Sequence, residues 1–210
     1  MNNEKRDFNK EAASWDEPGR VKLANDIALA IIDEITLAPT MDVLDFGCST
    51  GLLTLKLQPL VHSITGVDSS QGMLDVLNAK IKNQDLTDVK TQHIDLDKGD
   101  ALEGSYHLIV SSMTLHHIRE TGPLLNKFYK VTAPDGYLCI ADLDLDGGRF
   151  HGNNKGVFHF GFDRAMMRRA FIEAGFHDVR DKTAAQIMKP IPDEKSQLFT
   201  VFLMTGRKRP

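Results

Sequence analysis

Val43-Leu44-Asp45-Phe46-Gly47-Cys48-Ser49-Thr50-Gly51 is an apolar run that stops in a glycine-bounded turn and resumes as a helix at Leu52. Residues 41–46 are short, apolar and β-branched enough for a buried parallel strand, and residues 52–57 carry helical spacing before Pro59 limits it. A strand-turn-helix unit of this kind opens most α/β nucleotide-binding folds. Gly47 and Gly51 allow unusual backbone angles and close approach of a ligand, while free N–H groups at a helix start attract polar or anionic groups. An ordinary βα turn with two glycines would look the same, so the flanking sequence has to decide.

Two familiar phosphate-binding turns do not fit. The dinucleotide fingerprint would place glycines at 47, 49 and 52, where the chain has Gly47, Ser49 and Leu52. A P-loop needs Gly-Lys-Ser/Thr after the turn, and Lys56 instead lies inside the helix. What remains is D-x-G-x-x-x-G with Asp45 inside the strand end.

Outward from this unit the pattern repeats. Strands are expected at 62–67, 89–94, 106–111 and 137–142, and helices at 71–81 and 123–131, with Pro134-Asp135-Gly136 as a turn. Before it, Val21, Ala24, Ile27, Ala28, Ile31, Ile32 and Ile35 form the stripe of an amphipathic helix over 20–37, which Pro39 ends. After a polar, Gly-rich loop over 144–156 come a helix at 163–174 with Gly175 as its C-terminal cap and strands at 177–184 and 198–205. Strands alternating with helices imply parallel pairing, right-handed crossovers and a ligand at the strand C-terminal ends.

If the turn holds a nucleoside, the second strand should end in a carboxylate that accepts from ribose hydroxyls, and Asp68 stands there. It also suits the cap of the helix starting near Ser70, and the two roles are compatible.

Composition bounds the rest. A chain of 210 residues suits one α/β domain, and a net charge of −4 gives no support for binding nucleic acid. The basic tail Arg207-Lys208-Arg209 reads as a solvated end. The two cysteines, Cys48 and Cys139, lack metal-ligand or disulfide-framework spacing. No apolar run spans a bilayer and residues 1–10 lack the core of a signal peptide, so a cytoplasmic protein is expected. Oligomeric state is not readable.

With Asp45, Gly47, Gly51, Asp68 and the segment Ser111-Ser112-Met113-Thr114-Leu115-His116-His117 in place, the chain resembles the class I S-adenosylmethionine (SAM) dependent methyltransferases. Within them it is closest to the small-molecule branch that includes ubiquinone and menaquinone biosynthesis. The resemblance implies a Rossmann-like, doubly wound, seven-stranded, mostly parallel sheet with the last strand antiparallel and helices on both faces. It also implies one domain over 1–210, with a lid over 1–37, a cofactor core over 41–142 and a substrate side over 143–210. SAM would be the cofactor and S-adenosylhomocysteine (SAH) the product.

Site roles carry over by position. Asp45, Gly47, Cys48, Ser49 and Gly51 would hold the methionine end of SAM, with Ser49 departing from the family's usual middle glycine. Asp68 and Ser69 would meet the ribose, and Asp95 and the Leu96 N–H the adenine edge, with Asp97 a neighbouring competitor. Met73 packs near adenine or fills the core. Ser111 would offer its backbone to the methionine amine. Phe8-Asn9-Lys10-Glu11-Ala12-Ala13-Ser14-Trp15 resembles a leading lid, with Trp15 either covering the cofactor or stapling the first helix.

Transfer from a sulfonium releases a neutral leaving group, so in-line alignment and water exclusion dominate. A base is needed only when the acceptor must lose a proton; His116, His117, His151 and His159 have the right intrinsic pKa. Asp142, His151 and His159 are expected substrate contacts, without a metal. The expected function is methyl transfer to a small-molecule acceptor. The alternatives are a catalytically silent SAM-binding module and an NAD-linked oxidoreductase, the latter disfavoured by Ser49 and Leu52.

Overall fold

The computed structural model describes residues 6–191 and 194–210. Its strands are β1 (Asp42–Phe46), β2 (Ser63–Asp68), β3 (Val89–His93), β4 (Tyr106–Ser112), β5 (Thr132–Leu143), β6 (His177–Ile191) and β7 (Glu194–Arg207). They form one sheet in the order β3-β2-β1-β4-β5-β7-β6. The first five are parallel, and β7 runs antiparallel to both β5 and β6. Six α-helices accompany them among the described residues: α1 (Phe8–Glu11), α2 (Pro18–Glu34), α3 (Thr54–Leu57), α4 (Gln71–Asn83), α5 (Thr121–Val131) and α6 (Arg164–Glu173).

Alternation along the strands builds a core on each face. Val43 points toward Ile27 and Ile31 of α2, whereas its neighbour Leu44 points toward Leu124, Leu125 and Phe128 of α5. Strands covered on both faces read as continuous apolar runs, which is why 41–46 was legible. Burying each large side chain such as Phe128 or Phe171 contributes roughly 1.5–3 kcal/mol. The caps match the sequence chemistry: Asp163 accepts from Met166 N–H at 2.9 Å to start α6, and Gly175 follows that helix at φ 109°.

Three strands run longer than their sequence patterns. The 137–142 strand begins at Thr132, because Tyr106 pairs Thr132 while Leu108 pairs Tyr137, so the Pro134-Asp135-Gly136 turn bulges out of a continuing strand. Strands 6 and 7 extend well past the expected 177–184 and 198–205. Pro190 hides the extension in the sequence, yet it is tolerated because β6 is an edge strand that pairs only with β7. The 20–37 helix ends at Glu34. No helix of the described residues is long and apolar enough to cross a membrane.

Candidate active site

The β1–α3 turn is built from backbone. Gly47, Ser49 and Gly51 all take left-handed angles, with φ 73°, 53° and 82°. Gly47 and Cys48 N–H groups both donate to Val67 O, at 2.8 and 3.1 Å, which pins the turn to β2. A Cβ at Gly47 would stand 2.2 Å from Thr114 Oγ1, and one at Gly51 would stand 2.3 Å from Leu77 Cδ1. Both positions therefore require glycine on two counts. Ser49 adopts the same region with a side chain, at a cost of about 1–2 kcal/mol, and its hydroxyl rests 3.1 Å from Met73 Sδ. The Cys48 thiol is buried with Leu74 and Leu77 and donates to Ser49 O at 3.7 Å.

Carboxylates line the strand ends. Asp45 is buried and accepts from Thr54 Oγ1 at 2.6 Å; burial, aided by the nearby Asp68 charge, lifts its pKa to about 7. Asp68, the last residue of β2, accepts from Ser49 N–H at 2.9 Å and Ser70 N–H at 2.8 Å, and burial raises its pKa too. Ser70, rather than Asp68, caps α4 by accepting from Met73 N–H. Ser69 offers its carbonyl to His93 Nε2 at 3.0 Å. Asp95 follows β3 and accepts from Asp97 N–H at 3.1 Å, with Lys98 3.3 Å away, and Leu96 opens the short turn beside it. The Ser111 hydroxyl is tied to Phe46 O at 2.9 Å.

The leading segment is clamped over this end of the sheet. Asn9 Oδ1 accepts from Ser70 Oγ and Gly72 N–H, at 2.9 and 2.8 Å. Asp16 accepts from Thr50 Oγ1 at 2.5 Å and pairs with Lys80 at 2.6 Å, while Lys80 also donates to Thr50 O. These clamps hold the Phe8 ring edge-on to Trp15 and to His117, at 5.9 and 5.2 Å.

Beyond the turn lies a histidine cluster. His116 Nδ1–H donates to Asp142 Oδ1 at 2.7 Å, both side chains being buried; Asp142 also accepts from His116 N–H and Leu143 N–H. His117 Nδ1–H donates to Gly156 O at 2.7 Å, leaving Nε2 as the lone-pair nitrogen of the neutral ring. His151 comes from the β5–α6 loop, its ring 5.0 Å from His116 and 5.9 Å from His117. Its Nε2 is buried with no hydrogen-bond partner among the described residues. Burial and the neighbouring imidazoles hold His117 at about 4 and His151 at about 3.

The structure thus brings together His116, His117, His151 and Asp142, but not His159. The His159 ring turns away, donating from Nε2 to Ile118 O at 2.9 Å and packing on Phe162. Among the described residues, no group of side chains is arranged to hold a metal ion. Sequence reasoning missed Thr54, Lys80, Arg6 and Lys189, none of which belongs to a motif; only the fold brings them to the site.

Fold and turn together define a Rossmann-like α/β protein, a fold that binds its ligands at the strand C-termini. A methyltransferase domain model matches residues 43–136. An uncharacterized methyltransferase of Schizosaccharomyces pombe is 32% identical over 141 residues, covering 64% of this chain and 50% of that protein. The demethylmenaquinone methyltransferase of Lactobacillus johnsonii is 31% identical over 107 residues, covering 47% of this chain and 42% of that one. The chain thus spans half or less of the length of these two relatives. Among solved structures, Haemonchus contortus phosphoethanolamine N-methyltransferase 2 in complex with SAM superposes with a TM-score of 0.70 at 13% identity, covering 97% of this chain and 60% of that one. Residues 43–136 thus resemble a methyltransferase domain, and the similarity supports a class I SAM-dependent methyltransferase with SAM as its cofactor.

Proposed function

We propose that the chain transfers a methyl group from SAM to a small-molecule acceptor held beneath its leading segment. The observation that carries this reading is the juxtaposition of the glycine turn with the buried Asp142–His116 pair and His117. One half suits a nucleoside cofactor, and the other supplies imidazole nitrogens beside it.

The donor set fits SAM. Each Asp68 oxygen accepts one backbone N–H and keeps a second lone pair for a ribose hydroxyl. Asp45, held near neutrality by burial, is a carboxylate whose charge a nearby ammonium would restore, as the methionine amine would. Gly47, Cys48, Ser49 and Gly51 contribute backbone, and Asp95 with the Leu96 N–H faces the adenine edge. Met73 fills the floor against Ser49, and Ser69 and Ser111 border the ribose and methionine ends.

When bound, SAM supplies an electrophilic methyl group on a sulfonium. The protein's part is alignment, water exclusion and, for an acceptor that loses a proton, a base. Asp142 fixes His116 with Nδ1 protonated, so its Nε2 is the proton-accepting nitrogen, the logic by which a carboxylate orients a catalytic imidazole. His117 is oriented alike by Gly156 O. Phe8, edge-on to both Trp15 and His117, sets the leading segment against the histidine cluster, which favours a small acceptor over a protein or nucleic acid surface. His159, bonded to Ile118 O, supports the loop rather than the chemistry.

Isothermal titration with SAM and SAH, followed by measurement of SAH release with a panel of phenols, enols and amines, tests this. Binding without turnover on any acceptor favours the silent SAM-binding module, and absence of binding at millimolar ligand refutes the reading.

A further inference from the structure

Around the histidine cluster stand cations that the methyl-transfer chemistry does not use. The Arg6 guanidinium makes a two-pronged bond to Glu11, at 2.7 and 2.6 Å, and lies over the Phe8 and Trp15 rings. Arg20 stacks on Trp15 at 4.1 Å and meets Glu17 at 3.5 Å. The third cation, Lys189, reaches in from β6 and has no carboxylate partner among the described residues. Its ammonium donates to Phe150 O at 2.7 Å and sits 4.3 Å from the Phe150 ring centre.

Arg6 and Arg20 thus have carboxylates in Glu11 and Glu17, whereas Lys189 has none among the described residues, at a half-buried place where an unpaired charge is costly. Asp142 is committed to His116 and Leu143, and Asp146 to the Gly148 and Phe150 N–H groups. Arg20 and Arg6 add to burial in pushing the Lys189 ammonium below its ordinary pKa, and Lys189 and Arg6 together bear on His151. Cations gathered against one another in this way are stabilised by an anion between them.

Phe150 links this charge to the chemistry: its ring lies under Lys189 on one side and 5.0 Å from the His151 ring on the other. Resting on the methyltransferase reading above, we propose that the acceptor carries a carboxylate that Lys189 binds, with His151 and the Phe150 ring alongside. The acceptor's apolar body then lies along Phe150, and its methyl-accepting atom reaches His116 and His117. A single ammonium without a carboxylate partner matches a monoanion better than a phosphate monoester, which carries about −1.5 to −2 at neutral pH. The unpartnered His151 Nε2 gives the bound carboxylate a second group to meet.

The experiment is equilibrium binding to the full chain saturated with SAH. The probes are benzoate against benzamide, octanoate against octanamide, and phenyl phosphate. At least one carboxylate is expected to bind about tenfold or more tightly than its amide, as a charge-assisted bond to a half-buried ammonium requires. Lys189→Gln, which keeps a donor for Phe150 O, should erase that preference, and Lys189→Arg should restore most of it, with SAH affinity unchanged in both. Equal binding of acid and amide, absence of carboxylate binding, a preference that survives in Lys189→Gln, or tighter binding of phenyl phosphate would each overturn the proposal. Failure of SAH itself to bind would instead overturn the methyltransferase reading, and this proposal with it.

Discussion

The two halves of the site are built on opposite principles. The proposed cofactor half, at the ends of β1 and β2, is made of backbone: three left-handed residues, two N–H groups on one carbonyl, and glycines with no room for a methyl group. The proposed acceptor half is made of side chains from distant stretches: Phe8 in the leading segment, His116 and His117 after β4, Asp142 on β5, His151 in the following loop and Lys189 on β6. A backbone site is intolerant of change but serves any acceptor chemistry. A side-chain site can be rebuilt residue by residue around a new acceptor, so specificity belongs there.

The sharpest way to break the division is Gly47→Ala. A Cβ pressed on Thr114 at a positive φ should cost about 3 kcal/mol of stability in urea unfolding and abolish SAM binding by calorimetry. Asp142→Asn, by contrast, should lower methyl transfer about 100-fold with cofactor affinity unchanged, because it loosens only the imidazole's orientation. Loss of SAM binding in Asp142→Asn would merge the two halves into one.

The halves also titrate in opposite senses. Asp45, raised by burial to about 7, holds a proton in the folded state that the unfolded chain gives up near pH 4, so it makes stability fall as pH rises between those values. His117 and His151, depressed to about 4 and 3, bind fewer protons folded than unfolded up to about pH 6.5, so they make stability rise with pH. Urea unfolding between pH 4.5 and 6.5 should therefore rise more steeply with pH in Asp45→Asn. In His117→Phe/His151→Phe the slope should turn downward. The smallest effect is expected at Ser49→Gly, which relieves a left-handed serine and should stabilise the apoprotein by about 0.5–1 kcal/mol in the same assay.

The same contrast explains what the sequence could reveal. Backbone sites depend on neighbours in the chain, so Asp45, Gly47, Gly51 and Asp68 were legible from one strand-turn-helix unit and the end of the next strand. The alternating elements likewise gave the parallel pairing, but not the extent of β6, where Pro190 masked a long edge strand, of β5, where a proline-glycine bulge interrupts it, or the end of the 20–37 helix. His116 stood out beside His117, but its partner Asp142 could be chosen only once β4 and β5 were known to pair. His159 lies in the same loop region as His151 and carries the same chemistry; the turn of the chain, not its composition, sends one ring to the cluster and the other to Phe162. Lys189 had no local signal, because its importance comes from Arg6, Arg20 and Phe150, each remote in sequence.

Side-by-side calorimetric titration of SAM into the unsubstituted chain, Gly47→Ala and Asp142→Asn puts the separation of cofactor and acceptor halves to the most direct test. Saturable binding to the unsubstituted chain and to Asp142→Asn, with none to Gly47→Ala, is the predicted result. No heat from the unsubstituted chain at millimolar SAM would contradict it.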